Sequence, residues 1–240
     1  MMTNSELRRT ARRHLEGRWG DLVLVTFLYY IISSALSFPF QLGMDESIWK
    51  AFSIPFEWKA PVISGGCVLL FLLLPLQWGY QVTFLRAWRE EPADIATLFH
   101  GYGDFWRIFS TMFLQQLYIL LWTLLLIVPG VVKALSYAMT PYILRDHPEL
   151  SRRAAIHLSR EIMAGNKGRL LLLWLSFLGW AVLALFTCGI GFLWLAPYIG
   201  VSEAGFYEDV MHQYRQRIGE EEVEPAEDDA AQNPADGAPE

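Results

Sequence analysis

Charge is scarce in this chain. Only 18% of its 240 residues are Asp, Glu, Lys or Arg, whereas soluble domains carry about a quarter. Residues 22–44, 60–85, 108–132 and 170–202 contain no charged residue. Cysteine is nearly missing: Cys67 and Cys188 stand alone inside apolar stretches. Two isolated thiols exclude a disulfide framework and a Cys-based metal site, and both are expected to be buried as small hydrophobes. The histidines His14, His100, His147, His157 and His212 include no i, i+4 pair, so a helical zinc site is not expected, and solvent-facing helix positions account for them. The chain also lacks a nucleotide-binding glycine loop, an HExxH helix and a nucleophile elbow. Glu90-Glu91 falls in a loop and Glu208-Asp209 at the end of the last apolar stretch, so neither makes a catalytic carboxylate pair. The expectation is a protein that is not an enzyme, with no cofactor, no metal and no nucleic-acid partner.

What is present is apolar length. Hydrophobic residues make up 53% of the chain and aromatics 15%. A helix needs about 20 apolar residues to cross a hydrocarbon core of roughly 30 Å, and each uncharged stretch exceeds that. A straight helix over 170–202 would run about 50 Å, and one over 108–144 about 55 Å, at 1.5 Å per residue. Both must double back. The corners are placed at Pro129-Gly130 and at the "TCGIG" run containing Gly189 and Gly191, because proline starts helices better than it continues them and glycine tolerates unusual dihedrals. The fold expected is all-α: a polytopic transmembrane bundle of six helices in three hairpins, over 21–39, 61–85, 107–128, 131–145, 169–187 and 191–209. Residues 1–218 form one integral membrane domain.

The net charge of −6 is misleading. Residues 219–240 hold nine acids and no base, so the body without them carries +3. A segment of Glu, Asp, Ala and Pro with little apolar bulk is expected to be disordered, serving as a solubilising tail or as a docking tail. Sixteen of the nineteen Lys and Arg lie at the N-terminus, in 86–107, in 145–169 and after Asp209, while only Lys50, Lys59 and Lys133 fall on the other side. By the positive-inside rule both termini are cytoplasmic, in a multi-pass protein of the cell membrane. A signal peptide cleaved near Ala35–Ser37 is the competing reading of the start. The long basic region before Leu22 favours a retained first span.

The segments before the outward spans echo one another. In "TNSELRRTARRHLEGRWG", Thr3 and Glu6 make a capping box, and Leu7, Ala11 and Leu15 share a face opposite Arg9 and Arg13, with Arg8 and Arg12 on the flank. This predicts an interfacial helix over 4–17. In "DHPELSRRAAIHLSREIMAGNKG", Asp146 and Glu149 are the expected cap and Leu150, Ala154, Leu158 and Ile162 the expected apolar face, giving a second such helix over 148–164. "EEPADIATLFHGYGD" reads as a shorter version ending at Gly101. Such helices are expected to lie in the cytoplasmic interface with Arg8, Arg9, Arg12, Arg13, Arg152 and Arg153 toward lipid phosphates. The two later hairpins also match, each ending in Pro-Tyr-Ile. Three units of interfacial helix, span out and span back would make a parallel repeat.

"NSELRRTARRHLEGRWG", "LLLIVPGVVKALSYAMTPYILRDHPELS" and "GWAVLALFTCGIGFLWLAPYIGVSEAGFYEDV" resemble the bacterial multi-pass membrane family known as domain of unknown function 975. The resemblance runs from about Asn4 to Val210 and leaves out the loop 44–59 and the acidic tail. It implies a membrane location and a topology, and it carries over no activity and no catalytic residue. Similar Pro-Gly hairpins occur in membrane domains attached to glycerophosphodiester phosphodiesterases, a more distant likeness.

Two ionisable residues could lie within the membrane, Lys133 and Glu203, and charge at depth is costly enough to ask for a role. Lys133 either snorkels to an interface or meets a buried partner or substrate. Glu203 is expected near the cytoplasmic headgroups. Ser64-Gly65-Gly66 and Gly200-x-x-x-Ala204 suit close helix contact, within the monomer or at a homo-oligomer seam. The expected function is a non-enzymatic membrane protein that organises membrane lipids or a protein partner at the cytoplasmic face. The alternatives are a small-molecule or lipid transporter, and a membrane module associated with a phosphodiesterase-type enzyme.

Overall fold

The structure is a computed structural model, which describes the backbone of residues 1–44 and 59–232 and the side chains of 1–35 and 71–219. Lys50, the side chains of Lys59, Ser64-Gly65-Gly66 and Cys67, and the end of the acidic tail lie outside the described residues. The described residues are all-helical: α1 (Asn4–Leu15), α2 (Trp19–Met44), α3 (Lys59–Trp88), a 3-10 segment (Ile95–Tyr102), α4 (Phe105–Leu125), α5 (Ile127–Tyr137), α6 (Thr140–Asp146), α7 (Arg152–Ile162), α8 (Lys167–Phe186) and α9 (Phe192–Gln232). Among them Phe105–Leu125, Ile127–Asp146 and Lys167–Phe186 are long and apolar enough to cross a membrane, by length and composition.

α1 forms for the reasons its sequence states. The Thr3 hydroxyl accepts from the Glu6 amide and the Glu6 carboxylate accepts from the Thr3 amide, a complete capping box. That backbone donor, followed by the Thr3 hydroxyl, holds the Glu6 carboxyl below its usual range. Leu7, Ala11 and Leu15 are buried, as their spacing requires. Gly17 then adopts φ +81°, which ends the helix in the left-handed region open to glycine.

α4 and α5 lie against each other in antiparallel register. Tyr137 faces Tyr118 with ring centroids 6.3 Å apart, the Lys133 ammonium sits 4.9 Å from the Trp122 ring centre, and Gly130 abuts Thr123. The corner is not at Pro129-Gly130. The backbone breaks at Leu126, with φ −157° and ψ 139°, and Pro129 lies inside the first turn of α5. There the amide that proline lacks would have had no intrahelical partner. Gly130 is a contact glycine, since a β-carbon would clash with Thr123. α8 and α9 have the same relation: Gly191 abuts Ala184, Tyr198 meets Phe177 edge-on, and Glu203 meets Trp174. Between α8 and α9, Cys188 and Gly189 are both at positive φ. Cys188 is exposed at that turn instead of buried.

Three other readings are corrected. "EEPADIATLFHGYGD" does not form an interfacial helix. Its 3-10 segment lies along α3, with Gly79 against the Leu98 carbonyl, Gly101 against the Pro75 carbonyl, and the Tyr102 hydroxyl donating to the Leu72 carbonyl at 2.8 Å. Absent β-carbons on both sides let two backbones approach. α7 is capped by Ser151, whose hydroxyl accepts from the Ala154 amide, and its buried stripe is Ala155, Ile156, Ser159 and Ile162. Asp146 cannot serve as cap because other groups hold its carboxylate, described below. Finally, the helical backbone of α9 continues to Gln232, into the acidic stretch whose composition had indicated disorder. Glu and Ala, which recur there, are favourable helix residues.

The centre lies where α3, α6 and α9 meet. The Trp78 indole donates to the Pro141 carbonyl at 2.8 Å, Tyr142 stacks on Tyr207 at 5.1 Å, and Gly200 and Gly205 make room for the rings of Phe84 and Trp88. Val201, Ala204 and Phe206 are fully buried. Gly200-x-x-x-Ala204 thus serves packing within the chain.

Candidate functional site

The ends of α3, α6 and the apolar half of α9 converge on a layer of ion pairs. Arg89 donates to both oxygens of Asp146, at 2.8 and 2.6 Å, and its Nε donates to Glu208. The Tyr207 hydroxyl adds a 2.9 Å bond to Asp146. The fork-to-carboxylate geometry, against opposing desolvation, raises the Arg89 pKa further and keeps it charged. Beside this cluster Arg145 pairs with Glu91. Arg169 donates to Asp209 at 2.7 Å and to the Met2 carbonyl at 2.7 Å, while the Met2 amide donates to Asp209 at 3.0 Å. The acids that reach this layer are therefore engaged by arginines. The arrangement joins helix ends and presents no carboxylate poised for proton transfer.

An arginine near the start of each of α2, α4 and α8 reaches a neighbouring helix. Arg18 donates to the Ala87 and Glu91 carbonyls, Arg107 to the Leu144 carbonyl, and Arg169 to the Asp209 carboxylate. The first two contacts fall at the ends of α3 and α6, the third within α9. The caps recur too, at Thr3, Asp94 and Ser151, and Gly17 and Gly165 share φ +81°. The Thr97 hydroxyl, with its amide, lowers the Asp94 pKa in the same manner. After the return helices stand "REEP" (89–92) and "RDHP" (145–148), the sequence signal that could have identified the ion layer beforehand.

The arginines singled out from sequence divide into two groups. On α1, Arg9, Arg12 and Arg13 are exposed and Arg8 is half-buried; on α7, Arg152 and Arg153 are exposed. Arg12 sits 5.7 Å from the Tyr198 ring and lines, with Trp19, Trp180, Leu183, Gly191 and Trp194, an apolar groove of about 320 Å³. A second groove, of about 190 Å³, is lined by Tyr118, Tyr137, Arg153, Ile156, His157 and Arg160. Sequence reading passed over this one because its residues come from three helices.

Among the described residues Lys133 pairs with no carboxylate. Its ammonium lies between the Trp122 ring, at 4.9 Å, and the Tyr137 ring, at 5.9 Å. Glu203 is half-buried and its carboxylate accepts from the Trp174 indole. Of the histidines, His14 packs against Trp88 with ring centroids 4.8 Å apart and the planes tilted by 39° and approaches Glu90, His147 approaches Glu149, and His157 bonds Arg160 and Glu161. Among the described residues no three His, Cys, Asp or Glu gather as a metal site would require.

A family model described as "Protein of unknown function (DUF975)" matches residues 1–136 and 124–214. No curated protein and no solved structure matches the chain.

Proposed function

The chain belongs to the DUF975 family, and from that starting point we propose that it is an integral membrane protein, without catalytic activity, that organises lipids or a partner at its arginine-rich side. Six membrane-embedded helices pair as α2 with α3, α4 with α5–α6, and α8 with the apolar half of α9, and both termini share the cytoplasmic compartment. The observation that carries this reading is the distribution of ion pairs. The carboxylates at the converging helix ends are engaged with Arg89, Arg145 and Arg169. Meanwhile Arg9, Arg12, Arg13, Arg152 and Arg153 stay exposed. Arginines left over on one face, above long apolar helices, fit an anionic surface.

Support for the transport reading is weaker. Broken helices lining a wet path would put polar groups at the centre. Instead the junction of α3, α6 and α9 is filled by Trp78, Tyr142, Phe206 and Tyr207. The outward-turned residues of α4–α5 are apolar, with Leu124 82% and Val128 75% exposed. Membrane packing relies on such close fits in place of aqueous hydrophobic drive.

Cys188 tests the topology. With Cys67 replaced by Ser, a membrane-impermeant maleimide should label Cys188 from outside the cell, and an appended C-terminal tag should resist external protease. Labelling of Cys188 only after lysis, together with tag removal from intact cells, would overturn the arrangement. Release of the chain by alkaline carbonate would overturn the membrane reading itself.

A further inference from the structure

The groove where α7 crosses α4 and α5 has the chemistry of a phosphate site, and we propose that it holds the phosphodiester of an anionic glycerophospholipid. This rests on the membrane reading above. The lining brings Arg153, His157 and Arg160 from α7 against Tyr118 of α4 and Tyr137 of α5. The Lys133 ammonium stands 5.9 Å from the Tyr137 ring on the same pair of helices. Two guanidiniums and two phenol hydroxyls supply donors, and no acid is among the lining residues.

The donors are positioned in advance. Arg160 donates to His157 Nε2 at 3.1 Å, and a guanidinium has no acceptor to offer. His157 Nε2 is therefore unprotonated in this arrangement, and its Nδ1–H faces the Glu161 carboxylate at 3.1 Å. The Tyr214 hydroxyl donates to the other Glu161 oxygen at 3.1 Å. This chain from Tyr214 through Glu161 and His157 fixes the Arg160 guanidinium and engages the one acid touching the set. On the underside of α7, the Ser159 hydroxyl donates to the Ser136 carbonyl at 3.0 Å and locks the helix onto α5.

The surface beyond the groove distinguishes a lipid from a free anion. From Tyr118 to the break at Leu126 is eight residues, about 12 Å of helix. Along that length Leu120, Leu121, Leu124 and Leu125 are exposed on α4, and Val128, Val131 and Val132 on α5. Half of a hydrocarbon core of roughly 30 Å is about 15 Å. A phosphate seated in the groove would lay its acyl chains on this apolar run within one leaflet. A soluble phosphate would leave it uncovered.

The test uses the full chain purified in detergent, with phosphatidylglycerol or phosphatidylcholine of matched acyl chains added and retained lipid read by native mass spectrometry. Phosphatidylglycerol should be preferred, and Arg153→Gln combined with Arg160→Gln should weaken its binding on the order of tenfold. Arg215→Gln on α9, an exposed arginine outside the groove, should leave that binding unchanged. Equal retention of the two lipids, or undiminished phosphatidylglycerol on the Arg153/Arg160 variant, would overturn the site. Complete displacement of the lipid by inorganic phosphate would overturn the lipid as occupant. A carbonate-resistant chain that binds both lipids equally would sink the site alone, whereas a carbonate-extractable chain would remove the membrane reading beneath it.

Discussion

A lysine inside an apolar stretch need not find an acid. Lys133 lies seven residues past the break at Leu126, about 10 Å along the helix, and its ammonium is cradled by Trp122 and Tyr137. A ring quadrupole attracts a cation with about 0.5–2 kcal/mol, more as water is excluded. Pairing across two helices also means that the charge reports on their register. A double-mutant cycle of Lys133→Met with Trp122→Leu, followed by thermal unfolding in detergent, should give a coupling of about 1 kcal/mol. Strictly additive losses would show that the lysine is held by something else. The position of the charge and its neighbour Tyr137, one turn along the same helix, were legible in the sequence, but Trp122 was not. Trp122 comes within reach only once the helices reverse at Leu126 and not four residues later.

At the scale of elements, local patterns succeeded where local bonds decide and failed where a neighbour intervened. The α1 cap and buried face followed from Thr3, Glu6, Leu7, Ala11 and Leu15, because every bond involved spans four residues or fewer. The cap of α7 moved from Asp146 to Ser151 because the Asp146 carboxylate is bound by Arg89, 57 positions away. The 3-10 segment strayed furthest. Its amphipathic pattern described an interface, yet Gly79 and Gly101 let it dock backbone to backbone on α3. A β-carbon at Gly79 would lie 2.2 Å from the Leu98 carbonyl oxygen, which cannot swing aside as a side chain can. Gly79→Ala should therefore cost about 1–3 kcal/mol by overpacking and should raise hydrogen exchange across residues 95–102. Gly168→Ala, where the added carbon meets open space, is the control. Equal behaviour of the two variants would refute backbone docking.

At the scale of the whole molecule, the ion layer ties elements far apart in sequence. Arg89, Asp146, Tyr207 and Glu208 belong to the ends of α3, α6 and the apolar half of α9. Asp146 is largely buried, with 12% of its side chain exposed. Asp146→Asn removes the charge that Arg89 faces while keeping a similar shape. Breaking a largely buried pair from one side costs about 3–5 kcal/mol, and the remaining Glu208 contact should hold the loss near 3 kcal/mol. Denaturation followed by far-ultraviolet circular dichroism would measure it, and a loss under 1 kcal/mol would mean that the layer is ornamental to stability. Arg18, Arg107 and Arg169, near three helix starts, each reach a neighbouring helix. A cation is favourable at a helix C-terminus, which suits Arg18 and Arg107 at the ends of α3 and α6, whereas Arg169 meets a side-chain carboxylate within α9.

Composition and apolar length by themselves determined that the described residues are helical and that the segments near 107–128, 131–145 and 169–187 are long enough for a membrane. Those properties depend on residues close in sequence and on what a helix can bury. Tertiary structure decided the break at Leu126, the docking of the 3-10 segment, the ring cradle of Lys133 and the groove between α4, α5 and α7. The docking, the groove and the Trp122 side of the cradle depend on which residues of different helices meet, which a linear pattern does not encode until the helices fold back on one another.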